Sequence, residues 1–261
     1  MKDFVHVPVS LCEFACKHNH LPHLSAYLCL QINGDGTLQL KEVRRLLKTL
    51  PGLTSLPSIR KVLAELISMN WVGLNQATNL IHVRSVRRVC RELGLSPNKV
   101  FRFNSSELHQ VKYFAYGSVI NAKLIQQCTA IKLQKSRIPV ANKSEATLPG
   151  SYPGLGKNGL SKLLMCSPTK ALRIKSICAK HGYIQVHRKA RKIMELSQAD
   201  YQLSPFLRDI FPEKSFLLSF RKNVITGKVE VYERLYDEIV PLMKIKKRGN
   251  KRFDGIFGHS H

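Results

Sequence analysis

The stretch Ser161–Lys192, SKLLMCSPTKALRIKSICAKHGYIQVHRKARK, carries Lys and Arg throughout and not one Asp or Glu. Folded surfaces ordinarily mix both signs, so this omission has to serve something. Ser167 is of the type that caps a helix, Pro168 suits the first helical position, and Gly182 stands where the helix should stop. The pattern predicts a short helix in LSKLLMC, a second over TKALRIKSICAK, and then the extended run YIQVHRK. At 100° per residue, Ala171, Ile174 and Cys178 share one face of the second helix, while Thr169, Arg173, Ser176 and Lys180 line the opposite one. Short hydrogen-bonding and basic side chains are the types that read base edges in a major groove, and a lack of acids avoids repelling the flanking phosphates. Thr169, Lys170, Arg173, Ser176 and Lys180 are therefore expected to read bases. Lys162, Arg188, Lys189, Arg191 and Lys192 are expected to grip phosphates. The plainer alternative is a solvated basic face.

The same order occurs earlier, in SLPSIRKVLAELISMNWVGLNQATNLIHVRS. Ser55 caps, Pro57 is tolerated in the first turn, and Ile59, Val62, Leu63 and Leu66 recur at helical spacing. Asn70 suits a left-handed stop, after which WVGLNQ and LIHVRSV alternate across an ATN turn as a hairpin does. HLSAYLCLQI predicts a helix before it, GDG a turn, and TLQLKEVRRLLKTL a short extended piece leading into a helix. Ser58, Lys61, Glu65 and Ser68 form the outward face of this first recognition-type helix. Glu65 would face phosphates there, so a plain solvated face is an equal alternative, and packing against a second subunit is a further one. Arg84, Arg87, Arg88 and Arg91 follow at helical spacing, as a phosphate-contacting stripe or a solubilising one.

The whole chain agrees with an acidic polymer as partner. Its 261 residues carry 42 Lys and Arg against 17 Asp and Glu, a formal charge of +25. That far exceeds what solubility needs, and it repels itself in the folded state. Nucleic acid is the first candidate and an anionic membrane surface the second, although no run approaches the roughly 18 apolar residues of a membrane span. MKDFVHVPVS lacks the pattern of a secretory leader, and an intracellular, nucleoid-associated protein of the cytoplasm is expected. The seven cysteines are odd in number and scattered among apolar neighbours, as reduced core residues are. Residues 1–95 contribute +6 of the charge and 96–261 contribute +19.

Both segments, Ser55 to Ser85 and Gly159 to Lys189, resemble the recognition helix and wing of winged helix-turn-helix proteins. Two such units in one chain resemble plasmid-type replication initiators and mobile-element DNA-binding proteins, at the level of the superfamily. The resemblance implies a first winged helix that dimerises or assists and a second that reads DNA. The expected class is α+β, mostly helical, with a winged helix in 1–95, a connecting long helix and Pro/Gly-rich linker in 96–158, a second winged helix with an insertion in 159–235, and a basic tail in 236–261. SSELHQVKYFAYGSVINAKLIQQCTAIKLQKS, Ser105–Ser136, reads as one helix capped by Ser105 or Ser106, a connector or a dimer interface. Phe216–Phe220 and Lys228–Tyr232 read as a hairpin, with Ile193–Lys214 as an insertion. Lys244, Lys246, Lys247, Arg248, Lys251 and Arg252 read as a flexible tail touching phosphates, or as a solubilising one.

Other motifs point to less. GLGKNG, Gly154–Gly159, matches a dinucleotide fingerprint but follows a loop rather than a strand. Cys12, Cys16, His18, His20 and His23 are enough donors for zinc, yet the two thiols lie one helical turn apart beside Leu11 and Ala15, as core residues do. Glu92, Glu107 and Glu145 form no paired acidic motif, and Tyr183 and Tyr201 lack the companions of a strand-cleaving tyrosine. Tyr183 matches Trp71 as the aromatic leading into the hairpin. The expectation is a noncatalytic binder of double-stranded DNA, replication initiator or transcriptional regulator, with a mobile element as one source. It is expected to use no cofactor, no small molecule and no membrane, with a homodimer and a metal at the Cys12–His23 cluster both left open by the sequence. An architectural or RNA-binding scaffold without sequence readout is the alternative. Six to ten phosphate contacts would weaken binding by about 10³–10⁵ between 50 and 200 mM salt.

Overall fold

Side-chain caps from Ser55, Ser85 and Ser167 set where three helices start in the computed structural model, which describes residues 2–137, 155–197 and 218–247. Strand β1 (Phe4–Pro8) runs into helix α1 (Val9–Lys17), followed by α2 (Leu21–Asn33), β2 (Thr37–Gln39) and α3 (Leu40–Leu47). Helix α4 (Leu56–Ser68) begins where the Ser55 side chain accepts from the Ser58 amide, and it carries Pro57 in its first turn. Strands β3 (Val72–Asn75) and β4 (Leu80–Val83) form its hairpin, closed by Asn79 at φ 52°. Strand β2 adds to β4, giving a three-stranded antiparallel sheet in the order β2-β4-β3. Helix α5 (Val86–Glu92) follows, capped by Ser85.

Strand β5 (Lys99–Asn104) returns to pair with β1 along its whole length. Near the end of the described chain, β9 (Lys246–Lys247) adds to the other edge of β5. Thus Lys246 and Lys247, expected in a flexible tail, sit in a strand, while Arg248, Lys251 and Arg252 lie outside the described residues.

The long helix starts differently from the sequence expectation. Asn104, not Ser105 or Ser106, is the cap: its side chain accepts from the Glu107 amide, and Glu107 Oε2 accepts from the Asn104 amide at 3.1 Å. This reciprocal pair is a capping box, which satisfies two otherwise orphaned amides. It opens a 3-10 turn, Ser105–Gln110, that leads into α6 (Val111–Arg137).

Helix α6 is more than a connector. Its first half buries Val111, the run from Phe114 to Asn121, and Leu124, and packs on α1 and α2 on one side. On the other it packs on α7 (Lys157–Leu164) and α8 (Pro168–Lys180). One continuous apolar core therefore runs from Val7 to Ile239 through α6. Helix α7 starts at Lys157, ahead of the expected LSKLLMC, and ends with Met165 in the left-handed conformation at φ 49°.

Beyond α8, strands β6 (Ile184–Leu196) and β8 (Val229–Pro241) pair antiparallel over almost their whole length, with register shifts at Lys189/Ala190 and Lys192/Met194. At about 3.3 Å per residue this makes an arm of about 40 Å. Strand β7 (Leu218–Lys222) joins the far half of β8, so the sheet order is β6-β8-β7. The expected hairpin around RKNVITG is thus the tip of this arm, and β8 both completes the β6 pairing and extends the sheet. The segment between β6 and β7, most of the Pro/Gly-rich linker, Tyr152, Tyr201, Glu145 and Gly154 lie outside the described residues. The chain is mixed α+β, with more helix than strand among the described residues. None of these helices is long and apolar enough to cross a membrane.

Candidate nucleic-acid interface

Helices α4 and α8 are the same local device used twice. Both have 13 residues and a Ser cap, Ser55 and Ser167, with proline in the first turn. At one constant offset, Ile59, Val62, Leu63 and Leu66 are matched by Ala171, Ile174, Lys175 and Cys178, and these are the buried positions of each helix. Asn70 at φ 58° and Gly182 at φ 73° then stop the helices in the left-handed region. The next residue bonds back in both: Trp71 N to Leu66 O at 2.9 Å, and Tyr183 N to Cys178 O at 3.0 Å. A large buried aromatic thus fixes the exit of each helix into its sheet.

This packing decides which side of α8 remains free. Thr169, Lys170, Arg173, Ser176 and Lys180 are all exposed, as their spacing predicts. None of these five side chains makes an ion pair among the described residues. Lys162 on α7 is likewise exposed, so the two helices present positive charge without a carboxylate on either.

Lys175 is the residue that the sequence reading passed over. It occupies the buried position that Leu63 fills in α4, it is 7% exposed, and its Nζ pairs with Asp237 Oδ2 on β8. A buried ammonium needs such a partner, since desolvation without one is costly. The pair ties α8 to the base of the arm. Beside it lies a cleft of about 360 Å³ lined by Leu172, Lys175, Ser176, Ala179, Val186, Arg188 and Asp237. Arg188 is exposed at its rim and forms no ion pair among the described residues.

The remaining basic residues of the arm are differently placed. Lys189 pairs with Glu238 at 3.0 Å, Arg191 with Glu233 at 2.9 Å, and Lys192 with Glu230 at 2.9 Å and with Glu195. Hydrogen bonds from Lys192, Tyr232 and Asn223 hold the Glu230 carboxyl down to about 2, so it stays charged at neutral pH. The acid-free stretch of sequence therefore meets its acids in β8. Among the described residues, cations without an ion pair are left on α7, α8 and Arg188, and at the far end of the arm on Arg221 and Lys222.

Around the first unit the cations are sorted in the same way. Lys61 and Ser68 are exposed and Ser58 is half-buried on α4. Glu65 Oε2 lies 2.5 Å from His23 Nε2 on α2, while the Glu65 side chain stays 40% exposed. Arg84 is half-buried, its guanidinium lies against Gly73, and its carbonyl accepts from Tyr27 Oη at 2.7 Å. Arg88 bonds Glu92 at 2.9 Å. Only Arg87 and Arg91 of the expected stripe stay exposed and unpaired among the described residues.

Two other groups acquire structural roles. Tyr183 Oη donates to Glu107 Oε1 at 3.2 Å and Gln110 Oε1 at 3.3 Å, and burial, then Glu107, pushes its phenol well above the usual range. A phenol held this way is poorly suited to be a nucleophile. Within the histidine-rich cluster, Cys12 sits in the core, Phe14 stacks on His20, His20 Nδ1 lies 3.3 Å from His23 Nδ1, and Glu65 engages the other side of His23. Among the described residues no three His, Cys, Asp or Glu side chains are grouped so as to hold a metal.

Comparison with protein families, with curated proteins and with solved structures finds no match to this chain.

Proposed function

We propose that this chain binds double-stranded DNA sequence-specifically and without catalysis, through two winged helix-turn-helix units, with α8 entering the major groove. The observation that carries the reading is the outer face of α8. Thr169, Lys170, Arg173, Ser176 and Lys180 are exposed together and free of ion pairs among the described residues, whereas Lys189, Arg191 and Lys192 of the neighbouring arm are paired with carboxylates. An element order of helix, strand, helix, helix and hairpin from α2 to β4 supports the winged-helix reading, as does the order α6, α7, α8, β6, β8.

In this reading Arg188 and Lys162 flank the groove and hold phosphates, and Arg173 reads a base edge. Helix α4, with Ser58, Lys61 and Ser68, assists on DNA or faces a second copy of the chain. The process served is replication initiation or transcriptional control, including that of a mobile element.

Selection of bound duplexes from a random library at about 150 mM salt tests this. Enrichment of one motif is expected, with repeated or palindromic half-sites if the protein acts as a dimer. Tight binding with no motif would overturn sequence readout in favour of an architectural role, and preference for RNA would overturn the choice of polymer.

A further inference from the structure

The tip of the arm exposes Val224 and Ile225 at 94% and 96% of their surface. Two adjacent β-branched side chains on the outermost turn contribute nothing to the core, and β-branching stiffens them at the first side-chain torsion. The turn beneath them is tightly built. Asn223 Oδ1 accepts from the amides of Ile225 at 2.9 Å and Thr226 at 3.2 Å. The Asn223 amide donates to Lys228 O at 2.9 Å, and the Gly227 amide donates to Asn223 O at 2.9 Å. Gly227 takes φ 69°, which a side chain would resist. An apolar pair is thus held rigidly in water by its own turn.

Its surroundings are basic. Lys222 and Lys228 stand on either side of the turn and are exposed, Lys228 Nζ lies 3.8 Å from Glu195 Oε2, and Arg221 lies over the Tyr232 ring at 5.0 Å. An apolar tip flanked by Lys222 and Lys228 matches a polyanion whose interior is apolar. Duplex DNA has that chemistry, with phosphates outside and stacked bases within, and apolar side chains wedge between base steps from the minor groove. Reach is sufficient: the arm starts at the C-terminal end of α8 and extends about 40 Å. Half a helical turn of B-DNA is only about 17 Å.

Building on the DNA-binding reading of α8, we infer that Val224 and Ile225 form a wedge that enters the minor groove beside the site and opens a base step, with Lys222 and Lys228 on the bordering phosphates. The chain would then bend the DNA that it recognises.

The test uses the full chain and the duplex that the wild type selects, with 2-aminopurine placed in turn at flanking steps and bending measured by gel mobility of permuted sites. The wild type is expected to bend the duplex and to raise fluorescence at one flanking step. The double variant Val224→Ser/Ile225→Ser should keep its affinity within a few-fold and its melting temperature, and lose both signals. An unchanged bend and fluorescence in the variant would overturn the wedge while leaving the α8 reading intact. Loss of self-association by the variant, seen by light scattering with DNA bending unaffected, would also overturn it and assign the tip to a second copy. Failure of the wild type to select any duplex would instead defeat the parent reading.

Discussion

A Cβ placed on Gly117 of α6 would lie 2.7 Å from Tyr183 Cβ, at the start of β6. The two backbones approach this closely because Asn121, one turn further along α6, donates from Nδ2 to Tyr183 O at 2.9 Å and accepts at Oδ1 from the Met243 amide at 3.0 Å. Alanine normally stabilises a helix interior relative to glycine by about 1 kcal/mol. Here the clash dominates, because the opposing atom is a Cβ fixed to the backbone rather than the end of a flexible chain. Gly117→Ala should destabilise the protein by about 1–3 kcal/mol, read as a lower denaturant midpoint with an unchanged slope. A neutral or stabilising result would show that this junction has slack.

The buried pair of Lys175 and Asp237 supplies a double-mutant test. Asp237→Ala leaves the Lys175 ammonium buried without this carboxylate and should cost about 3–5 kcal/mol. Adding Lys175→Leu, the residue type at the matching position 63, should recover most of that loss. If the second substitution adds to the damage, the ion pair is worth more than apolar packing at this site. Chemical denaturation of the two single variants and the double variant measures the coupling directly.

Salt dependence should be shallower than the charge of +25 implies. With the tip contacts removed by Lys222→Ala/Lys228→Ala, the cations assigned to the duplex are Lys162, Lys170, Arg173, Lys180 and Arg188. Each phosphate contact contributes a slope of about −0.9, so log K against log salt should fall with a slope of about −4 to −5. That corresponds to a loss of about 10²–10³ between 50 and 200 mM salt, less than the sequence alone predicts. Glu230→Gln with Glu233→Gln weakens the carboxylate hold on Lys192 and Arg191 and should steepen the slope by up to about 2. An unaltered slope in that variant would show that these side chains lie beyond reach of the phosphates.

Arg173→Ala should weaken binding to the selected site by about 1–3 kcal/mol and relax preference at one base pair. A uniform loss on every sequence would make Arg173 a phosphate contact. Competition titrations against single-base variants of the site separate the two.

Stability should decline in alkali. Burial pushes Cys12 well above the ordinary thiol range, Cys16 and Cys178 up to about 12, and Cys29 up to about 11. An unfolded thiol ionises near 8.5. Groups raised on folding contribute their full stability below the unfolded value and lose it as pH climbs toward the folded one. The unfolding free energy should therefore hold level below about pH 8.5 from this source and fall between about pH 9 and 12. Denaturant titrations at a series of pH values check the sign, and a chain carrying Cys16→Ala and Cys178→Ala should fall less steeply.

Most helix boundaries and hairpins could be read from the chain itself, because they are decided within a few residues. Ser55 and Ser167 cap the next amides, Asn70 and Gly182 stop helices by adopting positive φ, and apolar spacing turns Ile59–Leu66 and Ala171–Cys178 inward. The exposed face of α8 follows from that same spacing. Even the Asn104 cap was visible in the sequence, as an Asn three residues before a Glu, though the adjacent serines compete as cap candidates.

What the tertiary structure decided is the fate of the charges and the work of α6. Glu230, Glu233 and Glu238 stand about 40 to 50 positions from the cations they neutralise, and a register shifted at two points is what brings them together. No local pattern encodes a pairing across so long an intervening segment. Lys175 reads as one more basic residue on a helix until Asp237 arrives beside it, and Glu65 reads as an outward acid until His23 takes it. Local sequence determines the path of the backbone through short-range sterics and hydrogen bonds. Which side chains remain charged toward a partner depends on distant carboxylates, and only the folded chain brings those within Coulombic range.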